Sequence, residues 1–264
     1  METADIKTLV RARYGNIAQA DNAACCAPAA SCCGPAVSVD ARGKARQMGY
    51  SDADLAAIPD GANLGLGCGN PQIIAALQPG ETVLDLGSGA GFDCFLAARQ
   101  VGPTGQVIGV DMTHEMLAKA RDNASRIGAT QVEFRLGELE HLPVADNTAD
   151  VALSNCVINL VPDKQQVFRE AFRALKPGGR LAISDVVNTA PLSDDLKGDT
   201  ALICGCVVGA PQVDQLETWL AAAGFEQIKV TIKPESRELI ATWAPGRNVE
   251  DYVVSASIEA RKPR

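Results

Sequence analysis

The segment "VLDLGSGAGFD", residues 83–93, limits the possible folds of this chain more than any other segment. It places Gly87, Gly89 and Gly91 directly between an apolar run and a helical pattern. Glycines at such a point allow a tight turn and a close approach of the backbone to a ligand. The segment therefore predicts a strand, a ligand-binding turn and a helix.

Two further details concern the side chains around this turn. Asp85 lies in the strand end just before the first glycine, and Ser88 lies within the turn itself. Asp111 ends the next apolar run, "GQVIGVDM", where a carboxylate can accept both hydroxyl groups of a ribose. A glycine turn alone is also compatible with a protein that binds NAD.

Strand and helix patterns alternate from Glu81 to Asn188, which predicts an α/β fold: a doubly wound, Rossmann-like parallel sheet with helices on both faces. A cysteine-bearing helical and loop segment precedes this core, and a smaller α+β part follows it. We expect a division into residues 1–70, 71–190 and 191–264.

The net charge of −8 and the scattered lysines and arginines argue against a nucleic-acid partner, because phosphate binding needs clustered positive charge. The first residues lack the order of a signal peptide, and the longest apolar run, around "ALICGCVVGAP", is too short to cross a bilayer. We expect a soluble cytoplasmic protein without a membrane partner.

The chain contains nine cysteines, an odd number that argues against a complete disulfide framework. Reduced, clustered thiols are typical of soft-metal or metalloid binding, or of redox chemistry. Cys156 follows the fourth predicted strand and therefore reaches the carboxyl edge of the sheet, where this fold binds ligands. Considered by its spacing alone, Cys156 could equally be a packing residue.

The core resembles the class I S-adenosylmethionine-dependent methyltransferases. That resemblance implies that Asp85, together with the glycine turn and Ser88, helps to hold the methionine portion of S-adenosylmethionine. It also implies that Asp111 binds the ribose. The residues expected to border the adenine are Met112, Gly137 and Glu138.

Three segments around this core, "LGCGNP", "SNCVINLVPDK" and "GCVVGA", resemble the arsenite methyltransferases, as does the loop "SCCG". The resemblance covers nearly the whole chain. It implies that Cys68, Cys156 and Cys206 bind trivalent arsenic, and that Cys32 or Cys33 acts in the first step and in redox turnover. Cys25 and Cys26 have no assignment.

The chemistry agrees with such a site, because trivalent arsenic is thiophilic and three thiolates leave its lone pair free to attack a methyl group. Arsenic carries no proton, so no catalytic histidine is needed, and we expect His114 and His141 at the surface. Glutathione or thioredoxin is the expected reductant, through a possible cysteine disulfide. The expected substrates are arsenite and methylarsenite, in arsenic detoxification.

The remaining side chains and the rival functions complete the sequence-based expectations. Cys94 is expected to pack in the core, Cys204 to pack or to be a spare ligand, and Asn155 to face the cofactor.

One rival function is a methyltransferase for a quinone or sterol with structural thiols. The other is a metalloid-binding or redox-sensing module without catalysis.

Overall fold

A mixed β-sheet with helices on both faces forms the centre of the molecule. The computed structural model describes residues 3–20 and 40–264. The helices are α1 Thr3–Ala20, α2 Ala41–Gln47, α3 Asp52–Ala57, α4 Pro71–Ala75, α5 Phe92–Val101, α6 His114–Ile127, α7 Lys164–Ala174, α8 Asp194–Lys197, α9 Thr200–Ile203, α10 Val213–Ala222 and α11 Arg237–Ala241. The strands are β1 Thr82–Leu86, β2 Gln106–Asp111, β3 Val132–Leu136, β4 Ala149–Asn155, β5 Leu175–Asn188, β6 Glu226–Lys233 and β7 Val253–Arg261.

The strand order in the sheet is β3-β2-β1-β4-β5-β7-β6. The strands from β1 to β5 pair in parallel, and this confirms the doubly wound α/β core. β7 pairs antiparallel with both β5 and β6, so the last two strands extend the same sheet. The division into three parts at residues 70 and 190 stays a prediction.

The two faces of the sheet bury different side chains, as the alternation of residues along a strand requires. Leu84 packs in a cluster with Phe168 of α7, whereas its neighbour Val83 packs in a second cluster with Phe95 of α5. Each of these side chains is at most 2% exposed. The central strands are therefore covered on both sides, and their ligand-binding capacity is concentrated at their carboxyl ends.

The segment "PDKQQVFREAFRALKPGG" predicts a helix that ends at Pro177 and Gly178, and the structure differs from this prediction. The helix stops at Ala174, and Leu175 already pairs with Ala149 of β4. The amide of Gly178 donates to the carbonyl of Lys262 near the end of the chain. Residues 175–178 therefore belong to the strand, because they pair with distant residues of the sheet, although the local pattern predicts the end of a helix there.

The segment "LSDDLKGDTALICGCVVGA" after β5 has a helical pattern, but in the structure it contains only two short helices, α8 and α9. The carboxylate of Asp199 accepts hydrogen bonds from the amides of Ala201 and Leu202 and so begins α9 anew. α9 ends at Ile203, and Cys206 follows in a turn with a φ of 65°. Among the described helices, none combines the length and the apolar character that a bilayer crossing needs.

The glycine turn after β1 gives a test of the local packing. Gly87 has a φ of 82°, and a Cβ atom there would overlap the side chain of Val157. Gly128 also has a positive φ, 64°, but a Cβ there meets nothing within 4 Å. Gly87→Ala should therefore lose about 1–3 kcal/mol more unfolding free energy than Gly128→Ala, which carries only the backbone strain of about 1 kcal/mol.

Urea denaturation of the two variants measures this difference. Equal losses of unfolding free energy would show that Val157 yields to the added methyl group and that the turn is not tightly packed beneath it.

Candidate active site

A cavity of about 490 Å³ opens at the carboxyl edge of the parallel strands. The glycine turn, α1 and the segment around α9 form its walls. Most of the expected cofactor-binding residues line it: Asp85, Gly87, Ser88, Gly89, Asp111, Met112, Gly137 and Asn155. Two of the expected arsenic ligands, Cys156 and Cys206, line the same cavity.

Asp111 connects the glycine turn to the end of β2. Its Oδ2 atom accepts a hydrogen bond from the amide of Gly89 (2.9 Å), and its Oδ1 atom accepts one from the amide of Thr113 (2.8 Å). Burial raises the pKa of Asp111, although both amide hydrogen bonds favour the charged carboxylate. The carboxylate expected to bind ribose therefore also holds the turn, a role that the sequence pattern did not indicate.

Ser88, in the glycine turn, lines the cavity. The hydroxyl oxygen of Ser88 is buried and has no hydrogen-bond partner within the described part of the chain. At Gly89 the backbone borders open space, since a Cβ there would meet nothing within 4 Å. A free hydroxyl, glycine backbone and two acids suit a ligand with hydroxyl groups and positive charge, and S-adenosylmethionine has both.

Asp85 is 3% exposed and accepts a hydrogen bond from the thiol of Cys94 at 3.1 Å. Burial, followed by the nearby charge of Asp93, raises the pKa of Asp85 to about 8. Cys94 is fully buried in the core, as expected, but its thiol also holds this carboxylate. Sequence reasoning missed that role because the contact joins β1 to α5 across the sheet edge.

Asn155 occupies a junction between the cofactor side and the thiol side of the cavity. Its Oδ1 atom accepts a hydrogen bond from the amide of Cys68 (3.2 Å). Its Nδ2 atom lies within hydrogen-bond distance of Tyr50 Oη (3.0 Å), the Gly69 carbonyl (2.9 Å) and Asp93 Oδ2 (3.3 Å). The side chain therefore anchors the Cys68 loop, in addition to lining the cavity as expected.

Glu138, one of the residues expected to border adenine, is paired with the N-terminal helix. It accepts a hydrogen bond from Lys7 at 2.6 Å and a second from Arg11. Lys7 also contacts Glu140 at 2.9 Å. Glu138 does not line the cavity, whereas Gly137 does. These ion pairs fix α1 over the cavity edge near β3.

The three cysteines from distant segments converge. The sulfur atoms of Cys68 and Cys156 and a carboxylate oxygen of Asp185 all lie within 4.8 Å of one another. Cys206 Sγ lies 2.9 Å from the carbonyl oxygen of Cys156, and the two thiols also interact directly. Cys156 is thus the central member of the group, with Cys68 and Cys206 on either side.

Both Cys156 and Cys206 adopt a left-handed backbone conformation, with φ values of 59° and 65°. Such conformations cost on the order of 1 kcal/mol for a non-glycine residue and concentrate at functional sites. Each follows the end of a regular element, β4 or α9. Both residues thus combine an unfavourable backbone conformation with a place in the thiol cluster.

Cys68 and Cys206 are buried, and Cys156 is half-buried. Burial raises the pKa of Cys68 to about 11. The hydrogen bond with Cys156, together with burial, raises the pKa of Cys206 well above its ordinary value. For Cys156 the hydrogen bond with Cys206 favours the thiolate, but the hydrogen bond with Cys68 and burial outweigh it and raise the pKa well above its ordinary value. The raised pKa values favour the protonated form of all three thiols.

Comparison with known proteins agrees with this geometry. Residues 77–224 match a family model described as a methyltransferase domain. An arsenite methyltransferase from Halobacterium salinarum is 53% identical over 264 residues, which cover 98% of this chain and 67% of that protein. This chain belongs to the arsenite methyltransferase family. It is an S-adenosylmethionine-dependent methyltransferase.

A second relative and a solved structure extend the comparison. An arsenite methyltransferase from Aquipseudomonas alcaligenes is 47% identical over 60% of this chain and 47% of its own length. The crystal structure of an arsenic(III) S-adenosylmethionine methyltransferase from Chlamydomonas reinhardtii is 30% identical, with a TM-score of 0.60. The match covers 85% of this chain and 73% of the Chlamydomonas reinhardtii chain. The chain thus spans about two thirds of the first relative and about half of the second.

Cys204 of the methyltransferase is buried and lines the cavity beside the thiol group. It caps the end of α9 rather than lying within a helix, and its carbonyl accepts a hydrogen bond from Tyr14 Oη at 3.2 Å. Tyr14 belongs to α1, so this contact fixes the N-terminal helix on the thiol side as the ion pairs of Lys7 do near β3. The role of Cys204 as packing residue or spare ligand stays open.

The other expected site residues lie apart from the cavity or outside the described residues. His114 and His141 are exposed and do not line the cavity. Gly91 begins α5 below the turn and does not line it either. The N-terminal cysteines Cys25, Cys26, Cys32 and Cys33 fall outside the residues that the structure describes.

The raised pKa of Asp85 predicts a pH dependence of stability. Aspartate in an unfolded chain titrates near pH 4, whereas the pKa of buried Asp85 is about 8. Between these values the folded protein binds more protons, so this group makes the unfolding free energy fall as the pH rises. Asp85→Asn should remove that contribution and leave the ligand-free protein more stable than the native one at pH 8.

Urea denaturation between pH 5 and pH 8.5 measures the effect, and Asp122→Asn, at an exposed carboxylate, is the matched control. The same pH profile for Asp85→Asn and the native protein would mean that Asp85 is already ionised at pH 5.

Proposed function

We propose that this protein transfers methyl groups from S-adenosylmethionine to trivalent arsenic held by Cys68, Cys156 and Cys206. The observation that carries the proposal is the convergence of three thiols from separate segments at the edge of a cavity lined by the glycine turn. Two of the three thiols also adopt a left-handed backbone conformation, which is frequent at functional sites. Arsenite and methylarsenite are the proposed substrates.

The residues around the glycine turn fit the methyl donor. We assign the ribose to Asp111, the cationic methionine end to the buried Asp85, and the adenine border to Met112 and Gly137. The free hydroxyl of Ser88 would donate to the ligand, since it has no partner among the described residues. When bound, S-adenosylmethionine supplies an electrophilic methyl group on a positively charged sulfur.

The thiols act as ligands without prior ionisation. Arsenite carries three hydroxyl groups, and each thiol proton leaves with one hydroxyl group as water when an As–S bond forms. The raised pKa values of Cys68 and Cys206 therefore do not oppose binding. Three sulfur ligands leave the lone pair on arsenic available as the nucleophile, and no side chain has to remove a proton from it.

The turnover of the site requires a reductant whenever arsenic leaves as a pentavalent species. We propose a small thiol such as glutathione, or thioredoxin, with Cys32 or Cys33 as the relay in the protein. Arsenic detoxification in the cytoplasm is the corresponding biological role.

The central ligand gives the sharpest test of the function. Purified protein is mixed with labelled S-adenosylmethionine, excess thiol and either arsenite or methylarsenite, and methylated arsenicals are quantified. Cys156→Ser should fold and bind S-adenosylmethionine but methylate neither substrate, because a hard hydroxyl is a poor ligand for soft arsenic. Cys204→Ser, which alters a neighbouring buried thiol outside the proposed set, is the matched control.

Methylation by Cys156→Ser at the native rate would show that Cys156 is a packing residue. No methylated arsenical from the native protein would contradict the proposed function itself, and a methylated quinone in a parallel assay would favour the rival methyltransferase.

Asp111 provides an independent test of the cofactor assignment. Asp111→Asn keeps the side-chain size and one oxygen acceptor but loses the charge. We expect S-adenosylmethionine binding to weaken by about 1.5–3 kcal/mol, because hydrogen bonds to a charged group contribute that much. Arsenite binding should hardly change.

Calorimetric titration of each ligand measures both effects, and Glu133→Gln, at an exposed carboxylate on β3, is the control. An unchanged cofactor affinity would rule out the proposed contact between Asp111 and the ribose.

A further inference from the structure

Asp185 is a buried carboxylate that lies beside the thiols. The proposed cofactor site does not use it. It lies in β5, is 2% exposed, and has an oxygen within 4.8 Å of both Cys68 Sγ and Cys156 Sγ. Asp85 and Asp93 line the cavity, whereas Asp185 does not. The protein therefore places an acidic side chain next to the expected arsenic ligands as well as on the cofactor side of the cavity.

Neutral hydrogen-bond donors fix this carboxylate in position. Oδ1 accepts from the amide of Val186 (2.8 Å) and from Asn159 Nδ2 (2.9 Å), and Oδ2 accepts from the amide of Ile158 (3.1 Å). The ammonium group of Lys164, the cation that acts on Asp185 through its charge, donates to the carbonyl of Val161 at 2.9 Å. Three hydrogen bonds thus fix the position of Asp185, and among residues 3–20 and 40–264 no cation forms an ion pair or hydrogen bond with its carboxylate.

The proposed reaction creates a positive charge at the thiol group. The lone pair of trivalent arsenic forms the As–C bond, the C–S bond to the sulfonium breaks, and its electron pair stays on the departing sulfur. S-adenosylhomocysteine is neutral at that sulfur, so the positive charge moves to arsenic, which becomes pentavalent. No proton is transferred and no oxidant is needed in this step.

We propose that Asp185 is a catalytic residue that contacts the bound arsenic and stabilises the positive charge that arsenic gains during methyl transfer. This inference rests on the proposed function. A preorganised charge in a buried site interacts strongly with developing charge and needs no rearrangement during the reaction. During methyl transfer the positive charge would move away from the carboxyl groups on the cofactor side of the cavity and toward Asp185 beside the thiols.

The test separates methyl transfer from arsenic binding and from reduction of the product. Protein loaded with arsenite is mixed with labelled S-adenosylmethionine, and the first turnover is followed by rapid quench without added reductant. Asp185→Asn should slow this step on the order of 10- to 100-fold. The arsenic bound per protein after gel filtration and the affinity for S-adenosylmethionine should stay at native values.

Asn159→Ala is the matched control, because it removes a hydrogen bond that positions Asp185 but keeps the carboxylate. Its first turnover should slow far less than that of Asp185→Asn. If the two variants slow equally, the hydrogen bond rather than the charge is responsible, and the proposal is wrong.

Two further outcomes would overturn the proposal. A native first-turnover rate in Asp185→Asn would show that the charge is not used, and loss of bound arsenic in that variant would make Asp185 a ligand or support of the site instead. If Asp185→Asn does not fold, Asp185→Ser, which is also neutral and also offers an acceptor, replaces it. If the native protein binds arsenic but forms no methylarsenical, the proposed function fails first.

Discussion

The carbonyl group of Ser184 in β5 is the point on which the arrangement of the thiols depends. It accepts the amide hydrogen of Cys156 at 2.8 Å and the thiol hydrogen of Cys68 at 3.6 Å. The first bond continues the parallel pairing of β4 with β5 by one residue, and the second brings a loop from before the core onto the same strand. One backbone acceptor thereby holds two of the three proposed arsenic ligands.

The cofactor side and the thiol side are connected through buried hydrogen bonds rather than through a shared element. Asp93 accepts hydrogen bonds from Tyr50 (2.8 Å) and Gln72 (3.1 Å), and Asn155 extends this network to the amide of Cys68. Buried polar groups require such partners, since an unpaired one costs on the order of 1–3 kcal/mol. The helix α1 closes over both sides. The proposed cofactor side and the thiol side of the cavity are therefore connected by one hydrogen-bond network.

Much of the core was predictable because its signals are local. The apolar runs of β1, β2 and β4, the glycines after β1 and the acid Asp111 at the end of β2 depend on period and turn chemistry alone. The secondary structure was predicted wrongly at the end of α7 and around Cys204. In both segments, contacts outside the local pattern determine where the helix ends. Pairing with residues near Lys262 extends β5, and capping by Asp199 restarts a helix.

The sequence by itself determined the α/β core and the glycine turn, because both depend on consecutive residues, and a family resemblance singled out Cys68, Cys156 and Cys206 as candidate ligands. Only the tertiary structure decided that Cys94 holds Asp85, that Asn155 anchors the Cys68 loop, and that Asp185 stands beside the thiols. These contacts join residues from different strands and loops. Their partners are chosen by the register of the parallel sheet, which no local pattern encodes.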